Sequence, residues 1–171
     1  EGTAIATIIV EPVNDSPIVM AGVLTTIDED PPINQTGTRI AEFLGSNYID
    51  IDNDDMQGIA VTVVDRRHGD WFWRCDETAE FVRFVGGVVA LPGGKVFPED
   101  PSPRKATLLS PECQVKFVPK LHFNTEYDYT GLRRPASDLP FIEYKGWDQT
   151  MTTYDYTDTF YDAIGSSRQT H

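Results

Sequence analysis

Three short stretches of the chain concentrate side chains whose oxygen atoms bind hard cations. They are Glu11 with Asn14 and Asp15, the run Asp28, Glu29 and Asp30, and the acids Asp50, Asp52 and Asp54 of the sequence DIDNDD. Calcium takes roughly six to eight oxygen ligands from carboxylates, amides and backbone carbonyls. Each stretch therefore has two interpretations: a ligand set for calcium, or a solvated turn whose Asp and Asn side chains hydrogen-bond their own backbone.

Other chemistry that uses carboxylates finds less support in the sequence. A glycosidase needs two Asp or Glu side chains about 5 to 10 Å apart across a cleft, and the chain has acids enough for that. It has no nucleophile elbow, no HExxH sequence and no Gly loop for phosphate, and His68, His122 and His171 are scattered. The sequence therefore predicts a protein that is not an enzyme.

Two cysteines and one tripeptide bear on the compartment. The spacing of Cys75 and Cys113 fits neither a CxxC redox pair nor a zinc site, which leaves one disulfide and two buried free thiols as open alternatives. The tripeptide NQT, which begins at Asn34, is an N-glycosylation sequon and follows a Pro-Pro pair. The sequon favours an extracellular protein.

Composition limits the partners. The 171 residues are 40% hydrophobic, which supports a folded core, and 14 basic against 27 acidic residues give a formal net charge of −13. This charge repels nucleic acid and anionic membranes and attracts cations. No apolar run approaches the ~20 residues that span a bilayer. The first residues, EGTAIATIIV, lack the features of a signal peptide, so we interpret the chain as a piece of something larger.

Short β-prone runs, separated by Gly, Pro, Asn and Asp, have to position these side chains. The predicted strands cover residues 4–10, 19–27, 38–44, 57–64, 71–75, 81–85, 88–91, 115–119 and 141–147. The sequence DRRHGD at 65–70 predicts a hairpin turn, and residues 92–111, with five of the twelve prolines, predict a long exposed insertion. Strands at about 8 to 12 residue spacing predict an all-β fold, an antiparallel β-sandwich. Residues 151–171 predict an irregular tail rich in Thr, Asp and Tyr.

Several sequence words, taken in order, resemble a cadherin-like tandem repeat. VEPVNDSPI at 10–18 is similar to the junction between two such repeats, where a last strand, a short Asn-Asp linker and a Pro follow one another. The other words are TTIDED at 25–30, IDIDNDD at 49–55, GIAVTVVD at 58–65, HGDWFW at 68–73, VKFVP at 115–119, HFNTEY at 122–127 and GWDQT at 146–150. Their specificity lies in the order of the set.

The resemblance implies an Ig-like Greek-key β-sandwich and divides the chain into three parts. Residues 1–16 are the last strand of a preceding repeat plus a linker, residues 17–150 are the repeat, and residues 151–171 are the tail. The closing strand of this repeat is absent, which leaves a sheet edge for the same chain or a neighbour to pair. Repeats of this kind occur in large secreted or cell-surface adhesive proteins and in the glycoproteins of mastigonemes, the hairs of cilia.

The resemblance also implies where calcium binds. The linker residues and the two acidic loops would meet at one end of the repeat and hold a cation that stiffens the junction. Asn14 stands where the linker motif has Asp, so the linker has one charge fewer. An EF-hand is excluded, because a loop that starts at Asp50 has Asp55 in place of the turn Gly and Val61 in place of the bidentate Glu.

Function is therefore expected to be structural: a repeat of an extracellular glycoprotein that joins neighbouring repeats and serves in self-association or filament assembly. The alternative is a carbohydrate-binding module with structural calcium, in which tryptophans form a sugar platform. The tryptophans are Trp71, Trp73 and Trp147, for which packing in the core or on the sheet is the favoured interpretation. Tyrosines that alternate with Asp and Thr suggest a contact surface between subunits; they are Tyr127, Tyr129, Tyr154, Tyr156 and Tyr161.

Overall fold

A computed structural model describes residues 2–11, 13–32, 34–52, 56–84 and 106–149, and the backbone alone of residues 88–90 and 96–98. The strands are β1 (Ile18–Val19), β2 (Thr38–Arg39), β3 (Tyr48–Ile49), β4 (Ile59–Val64), β5 (Gly69–Arg74), β6 (Val82–Arg83), β7 (Val88–Ala90), β8 (Val96–Pro98), β9 (Thr107–Leu109), β10 (Gln114–Pro119) and β11 (Ile142–Gly146). One short helix, α1 (Ile40–Leu44), and two 3-10 turns (Gly45–Asn47 and Ala136–Asp138) accompany them. The fold is all-β, as predicted.

The strands form two main sheets and one small one, with mostly antiparallel pairing. The first main sheet has the order β2-β10-β5-β6, and the second has the order β11-β4-β7-β8, with β9 also paired to β4. In the first sheet the whole of β10 pairs with β5, from Gln114 opposite Arg74 to Pro119 opposite Gly69. The small sheet pairs β1 with β3.

The core consists of apolar residues from both main sheets and α1. Ile59, Leu109 and Val115 from strands and Ile40 and Leu44 from the helix are almost completely inaccessible to solvent. Strand β4 is buried along nearly its whole length, which explains why its sequence, IAVTVV, is almost continuously apolar.

The helix was not predicted. Residues 38–44 were expected to form a strand, but only Thr38–Arg39 does, and Ile40–Leu44 is helical. The helix buries Ile40, Phe43 and Leu44, which are spaced so that they share one helix face. A single turn is too short to establish a helical period in the sequence.

Two further predictions about connections were wrong. The sequence DRRHGD does not close a hairpin, because β4 and β5 belong to different sheets. Part of the predicted exposed insertion is core structure, since β9 pairs with β4 and Leu109 is fully buried. Residues 91–95 and 99–105 of that insertion lie outside the described residues.

The strand directions define two ends of the molecule. The linker end is where β4 begins and β11 ends, and Gly146 lies opposite Ile59 there. The far end is where β4 ends, β5 begins and β10 ends, and Pro119 lies opposite Gly69 there. Residues 2–11, upstream of the linker, are exposed and pair with no described strand, although residues 4–10 were predicted to be a strand.

The helical content has one bearing on membranes. In the described part of the chain, no helix has the length and apolar character needed to cross a bilayer.

Candidate functional site

The linker is fixed to the module by contacts at the end of β11. Pro17 packs so closely on Gly146 that an added Cβ there would stand 2.8 Å from Cγ of Pro17, so that a larger residue would push the linker away. The side-chain amide of Asn14 donates a hydrogen bond to Oδ2 of Asp148 at 2.7 Å, and the backbone N–H of Asp15 donates to the carboxylate of Asp52. These contacts hold two linker residues against two module acids.

The acidic loop that contains Asp50 and Asp52 supplies the carboxylates on the module side. It follows β3, and the backbone N–H of Asp52 donates to Oδ1 of Asp50 at 3.0 Å. The other oxygen of that side chain, Oδ2, is buried and accepts no hydrogen bond from the described residues. A buried carboxylate oxygen without a partner costs free energy, and a bound cation would remove that cost.

The electrostatic field of these acids reaches a neighbouring tyrosine. Burial raises the pKa of Tyr48 well above its usual range, and the carboxylates of Asp50 and Asp148, together with a side-chain hydrogen bond to Asp50, raise it further. The hydroxyl of Tyr48 donates to the backbone carbonyl of Trp147 at 3.3 Å. The negative charge around this hydroxyl is the field into which a cation would move.

Five residues therefore converge at the linker end: Asn14, Asp15, Asp50, Asp52 and Asp148. In the described ranges, no three side chains of His, Cys, Asp or Glu already stand close enough together to enclose a metal ion. The side-chain atoms that could bind a metal here are nevertheless oxygens, and one of them, Oδ2 of Asp50, accepts no hydrogen bond from the described residues. Oxygen ligands of this kind fit calcium. These five residues are the ones that would hold it.

The sequence predicted four of the five residues and missed Asp148. That residue lies in the quoted word GWDQT, but nothing in the word indicates that its acid meets a linker residue 134 positions away. Glu11 is exposed, and Asp54 lies outside the described residues.

The acidic run Asp28, Glu29 and Asp30 does not join this group, which corrects the expectation that all three stretches share one end. Oδ2 of Asp30 lies 4.0 Å from Nδ1 of His122, which follows the end of β10. The run is therefore at the far end, separated from Asp50 by the length of the sheets.

The far end contains an ion-pair network that the sequence did not predict. The carboxylate of Asp65 is fully buried and accepts hydrogen bonds from Nε and Nη2 of Arg67, the latter at 2.8 Å. Asp138 accepts from Nη1 of Arg134 at 2.5 Å and pairs with Nε2 of His68 at 2.9 Å. Asp65 and Asp138 therefore each have an oppositely charged partner within the chain.

The hydrogen bond with His68 is the main influence on the pKa of Asp138, the partly buried acid of this network. It lowers the pKa of Asp138 below its usual range, with a further lowering by the Arg134 guanidinium. The His68 ring also stacks on Phe123 with 4.4 Å between ring centroids, which gives this histidine a structural role.

Cys75 and Cys113 are joined by a disulfide. The bond connects the residue after β5 to the residue before β10 at the linker end. The sequon residue Asn34 is exposed in a turn, where a glycan can be attached.

The aromatic side chains divide between core and surface. Trp71 is only 3% exposed, and its Nε1 donates to the backbone carbonyl of Asp65 at 2.8 Å. Trp73 and Trp147 are half-buried. Tyr129 is almost fully exposed and Tyr127 half exposed, and the tyrosines after residue 149 lie outside the described residues.

No family model, curated protein or solved structure matches this chain. The resemblance to cadherin-like repeats therefore stays a prediction that depends on the quoted sequence words. The function has to be inferred from the contacts of the chain itself.

Proposed function

We propose that this chain is a structural module of an extracellular protein, joined end to end with similar modules by a linker that calcium stiffens. In this proposal the two main sheets form a cadherin-like Greek-key β-sandwich. The observation behind the proposal is the meeting of Asn14 and Asp15, from the linker, with Asp50, Asp52 and Asp148, from the module.

The proposed mechanism is mechanical. Without a cation, two hydrogen bonds and the packing of Pro17 hold the linker to a cluster of like charges, and their repulsion opposes a close fit. A calcium ion bound by oxygens from both sides would cancel this repulsion and connect linker to module. A string of modules joined in this way would behave as a rod.

The disulfide and the exposed sequon support the extracellular location. Disulfides persist in oxidising compartments and are rare in the cytosol, and N-glycans are added to exposed Asn residues of secreted proteins. Within that setting, self-association and assembly into surface filaments, such as those of cilia, are part of the proposal.

The burial of Trp71 argues against the carbohydrate-binding alternative. A sugar platform needs an aromatic face open to solvent, and this ring is inside the core with its N–H bonded to backbone.

Calcium titration by calorimetry into the chelator-stripped chain tests the proposal. We expect saturable binding and a gain in unfolding free energy of about 2.7 kcal/mol when free calcium is 100 times its dissociation constant. The double variant Asp50→Asn/Asp52→Asn should lose both effects. The matched control, Asp28→Asn/Asp30→Asn, removes the same charge at the far end and should keep them.

The proposal fails if no heat is released and the unfolding midpoint is the same in calcium and in excess EDTA. It also fails if the two double variants lose binding equally, because calcium would then respond to net charge rather than to the linker site.

A further inference from the structure

One edge of the second main sheet is open in the described part of the chain. Strand β11 pairs with β4 along one edge, and no described strand pairs with its other edge. The hydroxyl of Tyr144 reaches the backbone carbonyl of Met20 at 2.7 Å, so the segment after β1 lies nearby without forming a ladder. An open edge presents unpaired backbone donors and acceptors that can receive another strand.

An apolar groove runs beside this edge. It has a volume of about 840 Å³, and one wall is formed by residues 22–29. Its lining includes the partly buried side chains of Phe117 from the first main sheet and of Ile142 and Tyr144 from the second. A strand added to β11 would therefore gain apolar contacts as well as backbone hydrogen bonds.

The same chain has an unpaired segment with suitable chemistry. Residues 3–10, TAIATIIV, have no charge and are rich in β-branched side chains. The side chains of Ile5, Ile8, Ile9 and Val10 are 85–91% exposed. Exposed apolar residues in such a continuous run indicate a surface that is covered in the working state.

Strand direction decides which copy supplies the segment. Strand β11 runs from the far end to the linker end, so an antiparallel partner must run from the linker end to the far end. The chain's own residues 3–10 leave at the linker end, where Asn14 is fixed to Asp148. If they folded back they would run parallel to β11, which is the less stable pairing, after a reversal within residues 11–13.

We propose that residues 3–10 of a second copy add to the free edge of β11 and fill the groove. In this antiparallel pairing, residues 11–17 of the second copy emerge at the far end of the first copy. The module of the second copy then lies beyond that end. The contact uses different surfaces on the two copies and does not close, so repetition gives a filament. This inference rests on the proposed end-to-end function only in assuming that successive modules are alike.

Sedimentation velocity of the full chain over a range of concentrations, in EDTA, tests the inference. The mean mass should rise with concentration beyond that of a dimer. The variant Ile8→Asp/Ile9→Asp should be a monomer, because neighbouring residues of a strand face opposite sides and one charge must enter the groove whichever face is inward. The matched control Leu121→Asp/Leu132→Asp changes two exposed apolar residues outside the groove and should still assemble.

A peptide of residues 3–10 with a solubilising tag tests the acceptor separately. The Ile8→Asp/Ile9→Asp variant keeps an intact groove, so the peptide should bind to it and slow amide hydrogen exchange at residues 142–146 by at least tenfold. The peptide carrying both Asp substitutions should leave exchange unchanged.

A wild-type chain that stays monomeric overturns the inference. Slow exchange of residues 142–146 in that monomer would identify the chain's own residues as the cover of the edge, and fast exchange that the peptide does not slow would show that the groove accepts no strand. These measurements are made without calcium. A negative result here therefore says nothing about calcium binding, and a negative calcium titration says nothing about strand addition.

Discussion

The buried and partly buried acids at the two ends of the module have different kinds of partner. At the far end Asp65 and Asp138 are paired with Arg67, Arg134 and His68. At the linker end the acids are close to an amide and to backbone N–H groups, and Oδ2 of Asp50 has no hydrogen-bond donor among the described residues. At the far end the chain supplies the positive charges for these acids, whereas at the linker end no described group donates a hydrogen bond to Oδ2 of Asp50.

This contrast indicates which end is complete within the chain. The Asp65–Arg67 pair at the far end is screened little by salt, because the Asp65 side chain is fully buried and that of Arg67 is only 18% exposed. At the linker end the carboxylates of Asp50 and Asp52 accept hydrogen bonds from backbone N–H groups, so the geometry there can respond to a cation from the solution. A junction that responds to calcium is expected at the second kind of end.

The largest effect should come from breaking the far-end pair. In Asp65→Asn the guanidinium of Arg67, only 18% exposed in its side chain, would lose the carboxylate closest to it and keep only the longer contact of its Nη1 with Asp138 at 3.5 Å. Removing one member of a buried pair costs about 3–5 kcal/mol, which urea unfolding would measure. Asp70→Asn is the control: it breaks the exposed pair with Arg83 and should cost about 0–1 kcal/mol. A loss below 1 kcal/mol for Asp65→Asn would remove the contrast between the ends.

The same change from Asp to Asn at the linker end should raise the free energy of unfolding instead of lowering it. In EDTA, Asp50→Asn/Asp52→Asn keeps an oxygen at each position to accept the backbone N–H groups but removes two like charges. We expect a gain of up to about 1 kcal/mol in unfolding free energy, the scale of exposed charge interactions. A loss as large as that of Asp65→Asn would mean that these carboxylates stabilise the linker without any cation.

The smallest effect should appear as a pH dependence at the far end. The hydrogen bond from His68 lowers the pKa of Asp138, so the unfolded chain binds a proton there at higher pH than the folded chain does. This contribution to stability is complete above the unfolded value of about 3.9 and disappears as pH falls through the lower folded value. Urea midpoints measured downward from pH 5 should fall less steeply for Asp138→Asn than for wild type. Equal slopes would show that Asp138 does not link protonation to stability.

Many of the strands could be predicted from the sequence. The helix α1 and the passage of the chain from one sheet to the other between β4 and β5 could not. Residues 57–64, 115–119 and 141–147 were predicted as strands and contain β4, most of β10 and β11. Their β-branched and aromatic residues lie between turn-forming residues, a local signal that needs no knowledge of the fold. Whether DRRHGD closes a hairpin or passes between sheets depends on which surfaces are buried, which a turn sequence does not encode.

The disulfide shows how tertiary structure decided a question that the sequence left open. Composition allowed a bridge or two thiols. The register that sets Gln114 opposite Arg74 also brings Cys113, one residue before, next to Cys75, one residue after. A register is the outcome of many side chains packed on both faces of a sheet, so it is not contained in the spacing of two cysteines.

The candidate site divides in the same way. The sequence by itself determined the ligand chemistry, because the type of a side chain fixes its donor atoms: Asn14, Asp15, Asp50 and Asp52 all offer oxygen. Only the tertiary structure decided which acids meet. It added Asp148 through the end of β11 and removed Asp28 and Asp30 by placing them at the far end. Residues that are distant along the chain become neighbours through strand pairing, and strand pairing is decided by burial of the whole core rather than by any local run of acids.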